Sequence, residues 1–248
     1  QAYQKVSSTL FAISGSKKME QKSTLDKKSR VLVSVIITCY NLEKYISRAI
    51  NSCINQTLSD DRYEIIVVDD CSTDGSWEII SQFSGLITAI KSKKNGGVST
   101  ASNKGIAASS GKYVVRVDGD DFINKNFLHT ISEVLEWNDD IGFVYCDQIV
   151  VDKDMSRKQE INTLDKLLDH GAGVMFRRRY LDAVGFYDED LRNREDYDLI
   201  LRYIKNFDGY RLRLPYYRYF KREGSLSTHV EERSSLKSKI DRDKNVTR

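Results

Sequence analysis

Tyr113-Val-Val-Arg-Val-Asp118-Gly-Asp-Asp121 is a run of mostly apolar, β-branched residues that ends in three carboxylates around one glycine. The β-branched residues favour a buried strand, and Gly111 marks its start. Carboxylates gathered at one strand end repel one another unless a cation lies among them. The stretch therefore indicates a metal-bridged phosphate site, although a solvated turn made of Asp and Gly would have the same pattern.

The composition is that of an ordinary globular protein, with 40% apolar and 30% charged residues among 248. The length allows one large domain or two small ones. A net charge of +3 gives no support to nucleic-acid binding, and no apolar run approaches the roughly 20 residues that span a bilayer. The cysteines form no C-x-x-C pair, which favours a reduced, cytoplasmic protein. Because the chain begins with Gln1, we expect it to be part of a longer polypeptide or complex.

Buried strands and amphipathic helices alternate along the first half of the chain. Apolar runs at 31–38, 63–68 and 113–118 predict strong strands, a weaker strand is predicted at 86–90, and helical spacing lies between them. This alternation predicts an α/β fold, a Rossmann-like and mostly parallel sheet flanked by helices. Ligands bind such sheets at the carboxyl ends of the strands, so the polar residues there should meet in one crevice: Thr38, Tyr40, Asn41, Asp69, Asp70, Asp118, Asp120 and Asp121.

The second half of the chain is less regular. Periodicity predicts a helix at 127–137, a long strand at 141–151, an amphipathic segment at 164–170 and a helix at 177–184. An acidic helix start is predicted at 193–198. Alternating residues predict a strand at 210–214 that stops before Pro215, the only proline, and an aromatic, basic segment follows at 216–222.

Five motifs follow one another in a fixed order: VSVIITCYN at 33–41, VVDDCSTDG at 67–75, NGGV at 95–98 leading to NKG at 103–105, DGDD at 118–121, and EDYDL at 195–199. In this order and spacing they resemble the inverting glycosyltransferases of family 2, which have the GT-A fold. One such motif alone would be weak. The resemblance covers about residues 31–227, and it implies a reaction type while leaving the sugars open.

The resemblance implies a role for each matching position. Asp118 and Asp120 match the D-x-D motif that holds Mn²⁺ or Mg²⁺ against the donor diphosphate, and Asp196 matches the catalytic base. The other matching positions are expected to contact the substrates, as Asp118 also is: Thr38, Tyr40, Asn41, Asp70, Gly97, Asn103 and Glu195. The chemistry is consistent, because a metal ion neutralises a diphosphate leaving group and a carboxylate can take the acceptor's proton. Without the resemblance, Asp196 would be interpreted as a helix-start carboxylate.

Two departures from the family pattern affect the donor and the metal. The run Ala101-Ser102-Asn103 has Ser where the family often has Arg, so the donor base stays open, with a UDP-sugar favoured. The family's histidine after a Tyr-Arg pair is missing behind Tyr217-Arg218, and His229 is the candidate for a metal or phosphate contact.

The resemblance also frames the partners and the domain organisation. The expected acceptor is a hydroxyl of a glycan or a lipid-linked glycan, as in bacterial surface polysaccharide synthesis. The segment 216–222 either packs on the sheet or makes a peripheral contact with the inner face of the membrane. We expect a peripheral helix and linker at 1–30, one GT-A domain at 31–230, and a charged tail or solvated helix at 231–248. Within the domain, 31–121 is the nucleotide-binding half and 122–230 the acceptor-binding half.

Two other classes of protein remain as alternatives. A metal-dependent nucleotidyltransferase also places carboxylates at strand ends, but it usually needs a Gly-rich basic loop after the first strand, of which 41–44 is a poor version. A non-catalytic module that binds nucleotide sugars is the other alternative. Such a module has no need of a base, so the presence of Asp118, Asp120 and Asp196 argues against it.

Overall fold

The first half of the chain alternates strands and helices as predicted. The structure is a computed structural model that describes residues 31–163, 167, 171–222, 225 and 230–243. Its first elements are β1 (Val33–Cys39), α1 (Ile46–Ile54), β2 (Tyr63–Asp69), α2 (Ser76–Ser81), β3 (Thr88–Lys91), α3 (Val98–Ala108) and β4 (Tyr113–Asp118). Strand β1 pairs in parallel with β2 and β4, and β2 pairs in parallel with β3. Every residue of β1 is buried, as expected for a central strand covered on both faces.

The second half extends the same sheet with strands of both directions. Its elements are β5 (Phe122–Ile123), α4 (Phe127–Trp137), β6 (Ile141–Val151), β7 (Arg157–Glu160), β8 (Val174–Arg177), α5 (Arg178–Val184), α6 (Glu195–Ile204), β9 (Asp208–Phe220) and α7 (Val230–Asp243). The sheet order is β3-β2-β1-β4-β8-β6-β9-β5, with β7 paired to β6 beside this path. Strand β8 runs antiparallel to both β4 and β6, so it joins the two halves. The α/β fold class is therefore confirmed.

Apolar side chains fill both faces of the sheet. One cluster places residues of α1, α2 and α4 against alternate residues of β1, such as Val35 and Ile37. The other cluster places residues of α3, α5 and α6 against Ile36 on the opposite face. Because side chains alternate along a strand, burial on both sides requires the continuous apolar run from which β1 was predicted.

The clearest difference from the sequence prediction is the length of β9. Pro215 was expected to end a strand, but β9 continues through it to Phe220 and pairs in parallel with β6. The register between β6 and β9 shifts at Asp147, the partner of Pro215. Proline is tolerated at such irregularities because no regular ladder hydrogen bond is required of its missing N–H. The aromatic residues 216–220 therefore belong to the sheet.

Other predictions fall partly or wholly outside the described residues. These are the N-terminal segment at 1–30 and the amphipathic segment at 164–170, of which only Leu167 is described and is buried. The C-terminal segment contains α7, whose Ile240 packs with Tyr197 and Leu201 of α6. In the described part of the chain, no helix has the length and apolar character needed to cross a membrane.

Candidate active site

The carboxyl ends of three parallel strands meet at one edge of the sheet. The pairing register sets Thr38 of β1 beside Val68 of β2 on one side and Asp118 of β4 on the other. The chain after each strand therefore starts from neighbouring points. Asp70 N–H donates to Cys39 O at 2.8 Å, and Gly119 N–H donates to Thr38 O at 3.0 Å, which ties the three strand ends together.

A cleft of about 540 Å³ opens at this edge. It contains nine of the positions singled out from the sequence, which come from both halves of the chain: Thr38, Tyr40, Asn41, Asp70, Gly97, Asp118, Asp120, Glu195 and Asp196. Its volume is within the range of small-molecule sites. Six of the eight strand-end residues expected to meet therefore do so, whereas Asp69 and Asp121 are buried and do not line the cleft. His229 lies outside the described residues.

Asp70 and Asn41 also organise the loops around the cleft. The Asp70 carboxylate is buried and accepts hydrogen bonds from the N–H groups of Gly96 at 2.9 Å and Gly97 at 2.7 Å. Asn41 Oδ1 accepts from Thr73 N–H at 2.8 Å. These contacts use part of each side chain's hydrogen-bonding capacity, so both residues shape the cleft as well as line it.

Asn103 is the one predicted substrate contact, among the described residues, that does not line the cleft. Its Nδ2 donates to Tyr187 O at 2.9 Å, and its Oδ1 accepts from Tyr187 N–H at 3.1 Å. The side chain therefore fastens α3 to the loop that precedes α6. The amide thus binds a backbone partner and does not line the cleft, and the substrate contact of Asn103 stays a prediction.

The three carboxylates after β4 have different surroundings. Asp121 is buried, and its two oxygens accept from Phe220 N–H and Tyr217 O–H, each at 2.8 Å. Burial, with added repulsion from Asp120 and Asp118, raises the pKa of Asp121 well above its ordinary value. Asp121 thus holds β9 against the turn, whereas Asp118 and Asp120 face the cleft.

Asp120 lies near the Asp118 carboxylate and contacts two arginines, Arg222 and Arg48. Burial and the neighbouring Asp118 raise the pKa of Asp120, and the Arg222 guanidinium opposes this shift. Arg222 Nε lies 2.5 Å from Asp120 Oδ2. Arg48 Nη2 donates to the Asp120 carbonyl at 2.8 Å, and its guanidinium lies between the rings of Phe122 and Phe220. The position of Asp120 is therefore fixed through both its backbone and its side chain.

The donor set of this turn fits a hard divalent cation. Such ions prefer oxygen ligands, and Mg²⁺ often takes one or two carboxylates together with substrate phosphates. Asp118 Oδ1 is buried and makes no hydrogen bond, but it forms an ion pair with Arg116 Nε at 3.0 Å, so only part of its ligand capacity remains. Across the part of the chain that the structure describes, no cluster of three or more His, Cys, Asp or Glu could hold a metal. Phosphate oxygens of a bound donor would supply further ligands to an ion here.

Glu195 and Asp196 begin helix α6 and line the same cleft. Arg194, just before the helix, has a left-handed backbone with φ of 64°. Asp196 Oδ1 accepts from Tyr197 N–H at 2.8 Å. Gly171, with φ of +38°, lies directly against Asp196, and a Cβ on this glycine would come within 2.4 Å of the Asp196 Cβ. Because Gly171 has no side chain, Asp196 can occupy this space.

Arginines in the cleft were not predicted from the sequence. Arg116, Arg192 and Arg222 all line it. Arg116 interrupts an otherwise apolar strand two residues before Asp118, so the two residues share a strand face. This spacing alone could have indicated that Arg116 lies near the cleft. Arg222 belongs to the basic segment expected to pack on the sheet or to lie at a membrane surface. Its contact with Asp120 spans 102 residues of sequence and has no local signature.

The parallel strands, the strand-end carboxylates and the opposing acidic helix start together define a glycosyltransferase domain of the GT-A class. Among solved structures, S. aureus TarS in complex with UDP-GlcNAc aligns with a TM-score of 0.72 and 25% identity, over 85% of this chain and 65% of the TarS chain. A mannosyltransferase from Pyrobaculum calidifontis, in complex with GDP-Man and Mn²⁺, aligns with a TM-score of 0.64 over 82% of this chain and 60% of its own. At 19% identity this second match shows the fold alone.

Sequence comparison identifies the family. The model of glycosyl transferase family 2 matches residues 34–185, and the chain belongs to that family. A similar curated protein is the uncharacterized glycosyltransferase EpsJ of Bacillus subtilis, which is 40% identical over 43% of this chain and 31% of EpsJ. The chondroitin synthase of Pasteurella multocida is 28% identical over 69% of this chain and 18% of its own length. The chain thus spans less than a third of either relative.

Proposed function

We propose that this protein is an inverting glycosyltransferase that moves a sugar from a nucleotide-diphosphate sugar to a hydroxyl of a glycan or lipid-linked acceptor. The observation that carries the proposal is the single cleft shared by Asp118, Asp120 and Asp196. Sugar transfer from a diphosphate donor needs charge neutralisation at the leaving group and a proton acceptor near the nucleophile. The pair Asp118 and Asp120 is proposed for the first function and Asp196 for the second.

In the proposed reaction Asp196 takes the proton of the acceptor hydroxyl. The acceptor oxygen then forms a bond to the anomeric carbon while the bond from that carbon to the phosphate oxygen breaks. The nucleoside diphosphate leaves with the electron pair, and attack from the opposite face inverts the anomeric configuration. Asp196 lies in the first turn of α6 and lines the same cleft as Asp118 and Asp120, which supports its assignment as the proton acceptor.

Asp118 and Asp120 are proposed to hold Mn²⁺ or Mg²⁺. When bound, this ion would neutralise the charge that develops on the diphosphate leaving group. The assignment is supported by the position of both carboxylates at one turn that lines the cleft. Arg222, which now contacts Asp120, adds positive charge at the same point. His229 remains a proposed contact for the metal or a phosphate.

The remaining proposed contacts bind the donor and the acceptor. Thr38, Tyr40, Asn41, Asp70 and Gly97 lie at the ends of β1 and β2 and the start of α3, beside Asp118, where the nucleoside is expected. Glu195 is assigned to the acceptor side. A UDP-sugar is favoured because TarS, 25% identical to this chain, was solved with UDP-GlcNAc.

The proposed setting is synthesis of a bacterial-type surface polysaccharide. The similarity to a chondroitin synthase, although it covers only 18% of that protein, supports a glycan acceptor. A peripheral membrane contact is part of the proposal only for a lipid-linked acceptor. The net charge of +3 gives no support to a nucleic-acid partner.

Thermal unfolding with a panel of nucleotides tests the proposed donor class. We expect UDP or another nucleoside diphosphate to raise Tm in the presence of Mn²⁺ or Mg²⁺ and to have a much smaller effect with EDTA. Saturation at 100 times the dissociation constant should add about 2.7 kcal/mol to the free energy of unfolding. Stabilisation by nucleoside triphosphates alone would favour a nucleotidyltransferase and contradict the proposal.

A further inference from the structure

Arg116 connects the end of strand β4 to the start of helix α6. Its Nε lies 3.0 Å from Asp118 Oδ1, and its Nη1 donates to Glu195 Oε1 at 2.9 Å. The guanidinium also lies over the Tyr187 ring, 5.1 Å from its centroid. The side chain is 12% exposed and that of Glu195 is 8% exposed, so the contact to Glu195 is largely shielded from water.

The surroundings keep Arg116 charged. Burial alone would lower the pKa of the guanidinium, but Asp118, Tyr187, Glu195 and Asp196 together raise it well above its ordinary value. A positive charge is thus held at the junction of three carboxylates. Removing one member of such a buried set leaves uncompensated charge, which is strongly unfavourable.

We propose that Arg116 is a positioning residue that sets the distance between the donor carboxylate Asp118 and the start of helix α6, and so places Asp196 for proton transfer. This inference rests on the proposed function. Asp118 lies in β4 and is fixed by its pairing with Thr38 of β1. Glu195 belongs to α6, which reaches the cleft from the other half of the chain. The bridge therefore acts mainly on α6.

An arginine suits this task better than a lysine. Two different nitrogens of one rigid, planar group contact the two carboxylates, and a single ammonium cannot reproduce that geometry. The same contact gives Glu195 a place in the bridge, because its Oε1 accepts from Arg116 Nη1. The adjacent Asp196 is the proposed proton acceptor.

The catalytic test compares Arg116→Met and Arg116→Lys by nucleotide release and by binding of UDP with Mn²⁺. We expect Arg116→Met to lower kcat roughly 10²-fold, the effect of a misplaced catalytic group, with the UDP dissociation constant changed no more than about threefold. Arg116→Lys should recover only part of kcat. Full recovery in the lysine variant, or a loss confined to UDP binding, would overturn the proposal.

A double variant asks whether Arg116 acts through Glu195. Because both changes break the same contact, Arg116→Met combined with Glu195→Gln should have a kcat within about threefold of Arg116→Met alone. Multiplied losses would show independent roles and would contradict the bridge. Arg211→Met is the matched control, since Arg211 forms a similar ion pair with the buried Asp147, at 2.9 Å, away from the cleft.

Hydrogen exchange keeps this inference testable if no donor is turned over. Arg116→Met should speed exchange of the first amides of α6, including that of Asp198, which donates to Arg194 O at 3.1 Å. Arg211→Met should leave these amides at the rate of the unchanged protein. Unaltered exchange in Arg116→Met would overturn the bridge even if the proposed function holds. If Arg116→Met alters exchange but the unchanged protein transfers no sugar, the result would contradict the proposed function and leave the bridge supported.

Discussion

Asp120 is the residue at which the metal proposal can be tested most simply. Its carboxylate contacts Arg222 and shares a turn with Asp118. Asp120→Asn removes the charge that a divalent ion requires and keeps the size of the side chain. We expect the variant to lose the Tm increase produced by UDP with Mn²⁺, as measured by thermal unfolding. Asp190→Asn, at an exposed position outside the cleft, should keep that increase.

The raised pKa of Asp120 also predicts a pH dependence. Burial and Asp118 favour the protonated form of Asp120. As pH falls, ion binding should therefore begin to weaken while the pH is still above about 3.9, the usual pKa of Asp. The contribution of this group to stability without metal has the opposite sign. Its native pKa lies above the unfolded one, so the stability it contributes is present at low pH and is lost as pH rises through the native value. Titrations of Tm with and without Mn²⁺, compared with Asp120→Asn, check both signs.

At the scale of elements, helix α3 packs unusually close to the sheet. A Cβ on Gly105 would lie 2.3 Å from Ile36 Cγ2 of β1, so this position needs a glycine. Gly105→Ala should lower the free energy of unfolding by roughly 1–3 kcal/mol, the usual effect of overpacking. Chemical denaturation measures this change. Ala107→Ser on the exposed side of the same helix should stay within about 0.5 kcal/mol, and an equal loss there would rule out the packing explanation.

Helix α7 supports the start of α6 from outside the cleft. Ile240 is buried against Tyr197 and Leu201, and Tyr197 O–H donates to Asp241 Oδ1. Ile240→Ala should lower stability by about 2 kcal/mol, the low end for buried isoleucine, because its cluster contains only two other buried residues. The same variant should accelerate exchange at α6, since Tyr197 adjoins Asp196. Normal exchange together with normal stability would show that α7 contributes nothing to α6.

Regular elements could be predicted because their signal is local. The helix at 127–137 and the strand at 141–151 have the predicted bounds, since periodicity and burial agree there. Pro215 predicts that the strand ends at residue 214. In the structure β9 continues, because its pairing with β6 tolerates the proline at a register shift. The short polar strand β7 carries no apolar alternation, so only its partner β6 reveals it.

At the scale of the whole molecule, the cleft is built from both halves of the chain. The order of motifs predicted its carboxylates, because parallel strands bring their ends together. The contacts that hold these carboxylates could not be predicted in the same way. Arg116 meets Glu195 across 79 positions, and Asn103 meets Tyr187 across 84, so both depend on how distant elements pack.

The most direct test of sugar transfer is nucleotide release from a panel of nucleotide sugars with glycan and lipid-linked acceptors, in the unchanged protein and in Asp196→Asn. We predict release by the unchanged protein and a loss of roughly 10²–10⁴-fold in the variant, the usual worth of a general base. UDP binding by Asp196→Asn should be unchanged. The control variant Asp182→Asn, at an exposed position of α5, should release nucleotide normally. Full release by Asp196→Asn would contradict the assigned base, and no release from any donor by the unchanged protein would contradict the transferase itself.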